Sequence, residues 1–117
     1  MPEPAVTTVE QRPGLVLVRI ELERIDEHNL EAVRAEVAAA GAASPQLPVA
    51  VDFGRVGFMP SITMAGLIQL AQQFRARKQR LVLVNLQPDV RESLVVMRLD
   101  RVIELQHDIS ALTGGPS

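Results

Sequence analysis

The run Leu81-Val82-Leu83-Val84-Asn85-Leu86 constrains this chain more than any other segment. It is apolar except for Asn85 and rich in branched residues. A strand with no polar face has to be covered on both sides, which is how strands sit in parallel sheets with crossover helices. The run therefore predicts a central strand of an α/β sheet.

The rest of the chain supplies the neighbours such a strand needs. Val6 to Glu10 suits a short first strand, and Arg12-Pro13-Gly14 supplies turn chemistry before a second strand, Leu15 to Leu22. That strand alternates from Val18, with Val18, Ile20 and Leu22 on one face and Arg19, Glu21 and Glu23 on a wet one. Asp26 or Asn29 caps a helix running to about Ala43, its apolar side made by Leu30, Val33, Val37 and the alanines; Gly41 and Ser44-Pro45 close it. Leu47 to Phe53 is a third strand, and Gly54-Arg55-Val56-Gly57 is the turn that delivers the chain to Ser61. From Ser61 the spacing of Met64, Leu67, Ile68, Ala71 and Phe74 predicts a helix. After the central strand, Pro88 opens a helix over Asp89–Leu99, with Val90, Leu94 and Met97 facing the core. Val95 and Val96 are left over, to pack under the final helix or, alternatively, to form an exposed patch for self-association. Val102–Leu105 is a last strand, Asp108–Leu112 a final helical turn or two, and Thr113–Ser117 a frayed tail.

The order β-β-α-β-α-β-α-β-α predicts one α/β domain over residues 1–117, its ordered core about 5–112. The sheet is mixed and mostly parallel, with about four or five strands and about four helices, and its first strand is placed to pair antiparallel. With 47% hydrophobic and 22% charged residues, the composition is globular. At this length roughly 65% of the unfolded surface can be buried, so neither a metal nor a disulfide is needed.

Composition also removes function classes. The chain has no Cys, which excludes disulfides, thiolate metal sites and thiol nucleophiles. Its 12 basic and 14 acidic residues are interspersed, and there is no Trp or Tyr to stack on bases, so nucleic acid is not an expected partner. The cluster Arg75, Arg77, Lys78 and Arg80 suits a solvated helix end. Met1-Pro2-Glu3-Pro4 lacks the basic-then-apolar pattern of a secretory leader, and the longest apolar runs are too short to span a bilayer. A cytoplasmic location without membrane insertion is expected.

Few residues offer chemistry. His28 and His107 lie far apart in sequence, with no partner at metal-ligand spacing, so neither metal nor cofactor is expected. No serine sits in a Gly-x-Ser-x-Gly elbow, and Gly54 and Gly57 make no phosphate-cradling loop. Asp26 and Asp52 fall at the carboxyl ends of predicted strands, where α/β domains bind ligands. A small phosphate-ester hydrolase using Ser61 with either acid therefore stays open. Ser61 itself opens a predicted helix, where a hydroxyl caps backbone N–H groups for about 1 kcal/mol. The same place, with its free N–H groups and positive dipole end, tolerates an added phosphate.

The segment Phe58-Met59-Pro60-Ser61-Ile62-Thr63-Met64-Ala65-Gly66-Leu67 resembles the signature of the STAS domain, the family of sulfate transporters and anti-sigma factor antagonists. That signature is typically apolar or aromatic-Ile-Asp-Ser-Ser-Gly-Leu-Gly. Ser61 falls on its first serine, the family's phosphorylated position, while Pro60, Ile62 and Thr63 stand where the family has Asp, Ser and Gly. The resemblance extends over nearly the whole chain: Asp26 falls on the family's Gly-x-Leu-Asp, Val49–Phe53 on the strand before the signature, and Leu81–Pro88 on the strand after it.

The resemblance implies a non-enzymatic regulatory domain of the anti-sigma factor antagonist or stressosome kind. Its partner is a serine/threonine kinase of the anti-sigma type or a stressosome scaffold. Phosphorylation at Ser61 or Thr63 breaks the complex. Asp26, His28, Arg55, Pro60, Ser61, Ile62 and Met64 are the implied contacts. Pro60 also fits an alternative, a STAS subunit of a membrane lipid-transporting ATPase without a switch.

Overall fold

The computed structural model describes residues 5–112; Thr113–Ser117, expected to be a frayed tail, lies outside them. Strands β1 (Thr7–Arg12) and β2 (Leu15–Ile20) form an antiparallel hairpin, joined by Pro13-Gly14 with Gly14 at φ 81°. A residue without Cβ takes that left-handed turn at no steric cost. The chain continues through helix α1 (Leu30–Ala43), β3 (Val49–Asp52), α2 (Met64–Ala76), β4 (Leu81–Val84), α3 (Pro88–Val96) and β5 (Glu104–Gln106). Strand order is β1-β2-β3-β4-β5, and every pair after the first is parallel. This is the mixed, mostly parallel sheet expected.

Strands that follow one another across the sheet, joined by right-handed crossovers, put all their helices on one face. The core shows this division. Val16, Val18 and Ile20 of β2, Val49 and Val51 of β3, and Leu81 and Leu83 of β4 pack with Val33 and Val37 of α1, Leu67, Leu70 and Phe74 of α2, and Val90 and Leu94 of α3. Leu15, Leu17, Ala50, Val82 and Val84 point the other way and pack with Ile109 and Leu112. All of β4 is buried, as its lack of a polar face requires.

The final helical turn is a single 3₁₀ turn, Ile109–Ala111, within the turn or two expected, while β5 falls at Glu104–Gln106 rather than Val102–Leu105. Asp108 is extended, and its carboxylate accepts the Ser110 N–H two residues on, which caps a turn rather than starting a longer helix. Helix α3 ends at Val96 instead of Leu99. Arg98 turns left-handed at φ 61°, and a 3₁₀ turn over Leu99–Arg101 brings Leu99 into the core in place of Met97. Met97 is 51% exposed, and Val95 and Val96 also face solvent rather than packing under the final turn.

Candidate functional site

Two loops at the carboxyl end of the sheet are held together by backbone bonds. The Gly57 and Phe58 N–H groups donate to the Glu23 carbonyl at 2.8 and 3.3 Å, and Ile25 N–H donates to the Phe58 carbonyl at 3.0 Å. A parallel bridge thus joins Arg24 to Phe58 beyond the end of the sheet. The Arg24 guanidinium lies 4.6 Å from the Phe58 ring centroid, a cation–π contact, and 3.4 Å from the Asp26 carboxylate.

Asp26 organises the entry to α1. Its Oδ1 accepts the N–H groups of His28 (2.9 Å) and Asn29 (3.2 Å), while Asn29 Oδ1 accepts the Asp26 N–H and Asn29 Nδ2 donates to the Arg24 carbonyl. Partial desolvation raises the Asp26 pKa, but the two N–H donors with the His28 and Arg24 charges outweigh it and hold the carboxyl below its ordinary value. Asp52 is likewise occupied: Oδ1 accepts the Gly54 N–H and Oδ2 lies 3.8 Å from Arg19. Neither acid bonds to Ser61, and neither histidine lines its groove. The residues of the hydrolase reading are not brought together.

Ser61 is where the structure departs most from the expected helix cap. Pro60 is extended (φ −67°, ψ 151°) and leads into a 3₁₀ turn, Ser61–Thr63, so α2 proper starts at Met64. Thr63 closes that turn, its N–H and Oγ1 both donating to the Pro60 carbonyl at 2.9 and 2.6 Å, and it is fully buried. Ser61 caps nothing; its hydroxyl is exposed and has no hydrogen-bond partner among the described residues. Ile62, next to it in sequence, is 65% exposed, and Phe58, earlier in the same loop, is 48% exposed. Across from Ser61, residues Asp89, Glu92, Ser93, Val96 and Met97 of α3 and its end complete an open groove of about 450 Å³.

This constellation sits on a recognisable scaffold. The family model for the STAS domain matches residues 7–112, the whole sheet and all three helices. The chain belongs to the STAS domain family. None of the curated proteins matches its sequence. Among solved structures it is similar to an anti-sigma-factor antagonist (STAS) domain protein from Planctomyces limnophilus, with a TM-score of 0.79 at 19% identity over 96% of this chain and 98% of the other. It is also similar to the anti-sigma factor antagonist SpoIIAA in its unphosphorylated form, with a TM-score of 0.71 at 21% identity over 95% and 99% of the two chains. RsbS of Moorella thermoacetica, solved as a variant, aligns at TM-score 0.72 and 14% identity over 92% of each chain. At these identities the likeness establishes the fold.

Within the STAS domain the expected contact residues divide. Asp26, His28, Arg55, Pro60, Ser61 and Ile62 lie on the two joined loops or the turn after them, with Arg55 held 3.0 Å from Glu21. Met64 does not belong with them. It is 2% exposed, because helical spacing aligns it with Leu67, Ala71 and Phe74 on the core side of α2. Thr63, the second expected phosphorylation position, presents no hydroxyl to solvent. Phe58, Asp89, Glu92, Val96 and Met97 were not in the expected set. The apolar residues left over at Val95 and Val96 were the one sequence signal pointing to α3.

Proposed function

We propose that this STAS domain is a non-enzymatic regulatory docking module of the anti-sigma factor antagonist or stressosome kind. In this reading it works in the cytoplasm and binds a serine/threonine kinase of the anti-sigma type, or a stressosome scaffold, through the Ser61 tip. Phosphorylation of Ser61 releases the partner. The observation that carries the reading is the Ser61 hydroxyl: exposed, without a partner among the described residues, next in sequence to the exposed Ile62 and in one groove with the exposed Val96 and Met97. A phosphoryl group there adds about −1.5 to −2 charge beside Asp89 and Glu92, and those charges have to be desolvated when a partner closes over the groove. Release follows without any change of fold. No helix among the described residues is long and apolar enough to cross a membrane.

The test is co-purification from native cells, mass spectrometry of Ser61, and calorimetry of the recovered partner with wild type, Ser61→Ala and Ser61→Asp. The expected result is a kinase or scaffold partner, phosphate at Ser61, and at least tenfold weaker binding by Ser61→Asp alone. Equal binding by Ser61→Asp overturns the switch. Recovery of a transport ATPase and no kinase decides for the alternative that Pro60 favours.

A further inference from the structure

Helix α2 ends in a turn whose central position is held by a residue that does not favour it. Lys78 N–H donates to the Arg75 carbonyl at 2.9 Å and Gln79 N–H to the Phe74 carbonyl at 3.0 Å, the bond pair of a Schellman motif, and Lys78 stands left-handed at φ 58°. Glycine is the usual occupant, because a Cβ there crowds the following carbonyl. Lys78 is also the only lysine of the chain. The helix dipole does not call for it, since Arg75 in the last turn and Arg77 at the cap already supply cations. Backbone strain kept at a single position points to a use for its side chain.

Lys78 is shared by two recesses. It lines one of about 470 Å³ with Arg75, Arg80, Val102 and Glu104, and another of about 570 Å³ with Arg80, Pro45, Leu47 and Pro48. Glu104, the one carboxylate lining either recess, is bonded to Arg80 and Gln106. Arg75 donates to the Val102 carbonyl at 3.4 Å and makes no ion pair, and the exposed Lys78 ammonium has no partner among the described residues. Two cations are thus left uncompensated. Gln79 Nε2 fixes the wall of the second recess by donating to the Ser44 and Leu47 carbonyls. Arg98, left-handed in the same way after α3, lines neither recess. A protein of net charge −2 is therefore locally basic here, the 13-residue length of α2, about 20 Å, away from the Ser61 groove with its Asp89 and Glu92.

Cations spread over two recesses suit acidic side chains carried on one chain segment, as Arg clusters that read acidic motifs do. A small anion would meet only one recess, and a flat bilayer would enter neither. Val102, 38% exposed, and the half-buried Leu47 add apolar contact beside the charges.

We propose that this end of α2 is a second docking surface, which takes an acidic segment of a partner protein across Arg75, Lys78 and Arg80, and that Lys78 occupies a glycine position for the sake of that contact. The surface does not depend on the Ser61 reading. Titration of ¹⁵N-labelled protein at low ionic strength with a capped peptide, Glu-Leu-Glu-Glu-Leu-Glu, tests it, beside vesicles of phosphatidylcholine and phosphatidylglycerol. The peptide is expected to shift the amide signals of Gln46, Leu47, Arg75, Lys78 and Val102 saturably, and to bind more weakly as salt rises. Lys78→Gly and Arg75→Gln should each weaken binding at least fivefold, while Arg91→Gln, the same charge change elsewhere, and Ser61→Ala leave it within twofold. Lys78→Gly should unfold at a urea midpoint no lower than wild type, so that its loss of binding is not a loss of fold. Acetylation of the wild type, which reaches no other lysine, should reproduce that loss and have no further effect on Lys78→Gly. Absence of saturable binding, an equal loss in Arg91→Gln, undiminished binding or a lowered urea midpoint in Lys78→Gly, or attachment to the vesicles in preference to the peptide would each overturn the assignment.

Discussion

Gln79 lies three residues beyond the end of α2 and is 6% exposed, and its side-chain amide holds the connection between α1 and β3. Nε2 donates to the carbonyls of Gly41 (3.0 Å), Ser44 (3.0 Å) and Leu47 (2.9 Å). The first two lie at the end of α1, where the Gly41 and Ser44 carbonyls otherwise accept only the Ser44 and Leu47 N–H groups. Replacing Gln79 by Ala removes two N–H donors, each contributing about 1 kcal/mol net, and one buried methylene worth about 0.8 kcal/mol. The expected loss is roughly 3 kcal/mol, or about a 10 °C fall in Tm for a domain of this size. Gln79→Glu should be worse at neutral pH, because a carboxylate facing three carbonyls can only repel them. It has to take up a proton, so its folded-state pKa rises above the unfolded value near 4.3. The variant then recovers as pH falls towards that value and weakens as pH rises. Urea unfolding followed by circular dichroism at pH 7 and pH 4 gives both quantities. A Gln79→Ala protein within 0.5 kcal/mol of wild type would refute the view that this amide fastens the connection.

Three further outcomes follow from the geometry. Met64→Ala should cost about 2–5 kcal/mol in urea unfolding, and Ile62→Ala should stay within about 0.5 kcal/mol, since one is buried and the other exposed. Ser61→Ala should leave stability unchanged, while Thr63→Ala loses about 1–2 kcal/mol with its bond to Pro60; the reverse order would mean that Ser61 is the cap after all. Hydrogen bonds from Arg80 to Glu104 and from Ser110 to Asp108 hold both carboxyls below their ordinary values. Depressed folded-state values add stability above about pH 4 that disappears as pH falls through the lowered range, so the urea midpoint should drop between pH 5 and pH 2, less steeply in Glu104→Gln.

The fold was legible because its signals are repetitive. The unbroken apolar run at Leu81–Val84, the alternation in Leu15–Ile20 and the spacing of Met64, Leu67, Ala71 and Phe74 each repeat one physical requirement several times. The site was less legible, because its features turn on single backbone choices. Ser61 and Thr63 are both hydroxyls before a helix, and only the extended Pro60 decides which one turns inward. Met97 and Leu99 both fit the apolar face of α3, and the left-handed Arg98 decides between them. The reach of Gln79 to three carbonyls between 32 and 38 residues away leaves no local trace at all.

The strand order β1-β2-β3-β4-β5 has a consequence for how the chain acquires its structure. Every strand pairs only with its predecessor and its successor, so none has to be threaded between two strands already joined. The hairpin can close by itself over a two-residue turn, and each later helix and strand can add to an open edge. Loop-closure costs then arise in small successive instalments. During synthesis the sheet can extend from its N-terminal edge as each segment leaves the ribosome, and the Ser61 tip is assembled before the α3 flank that completes its groove.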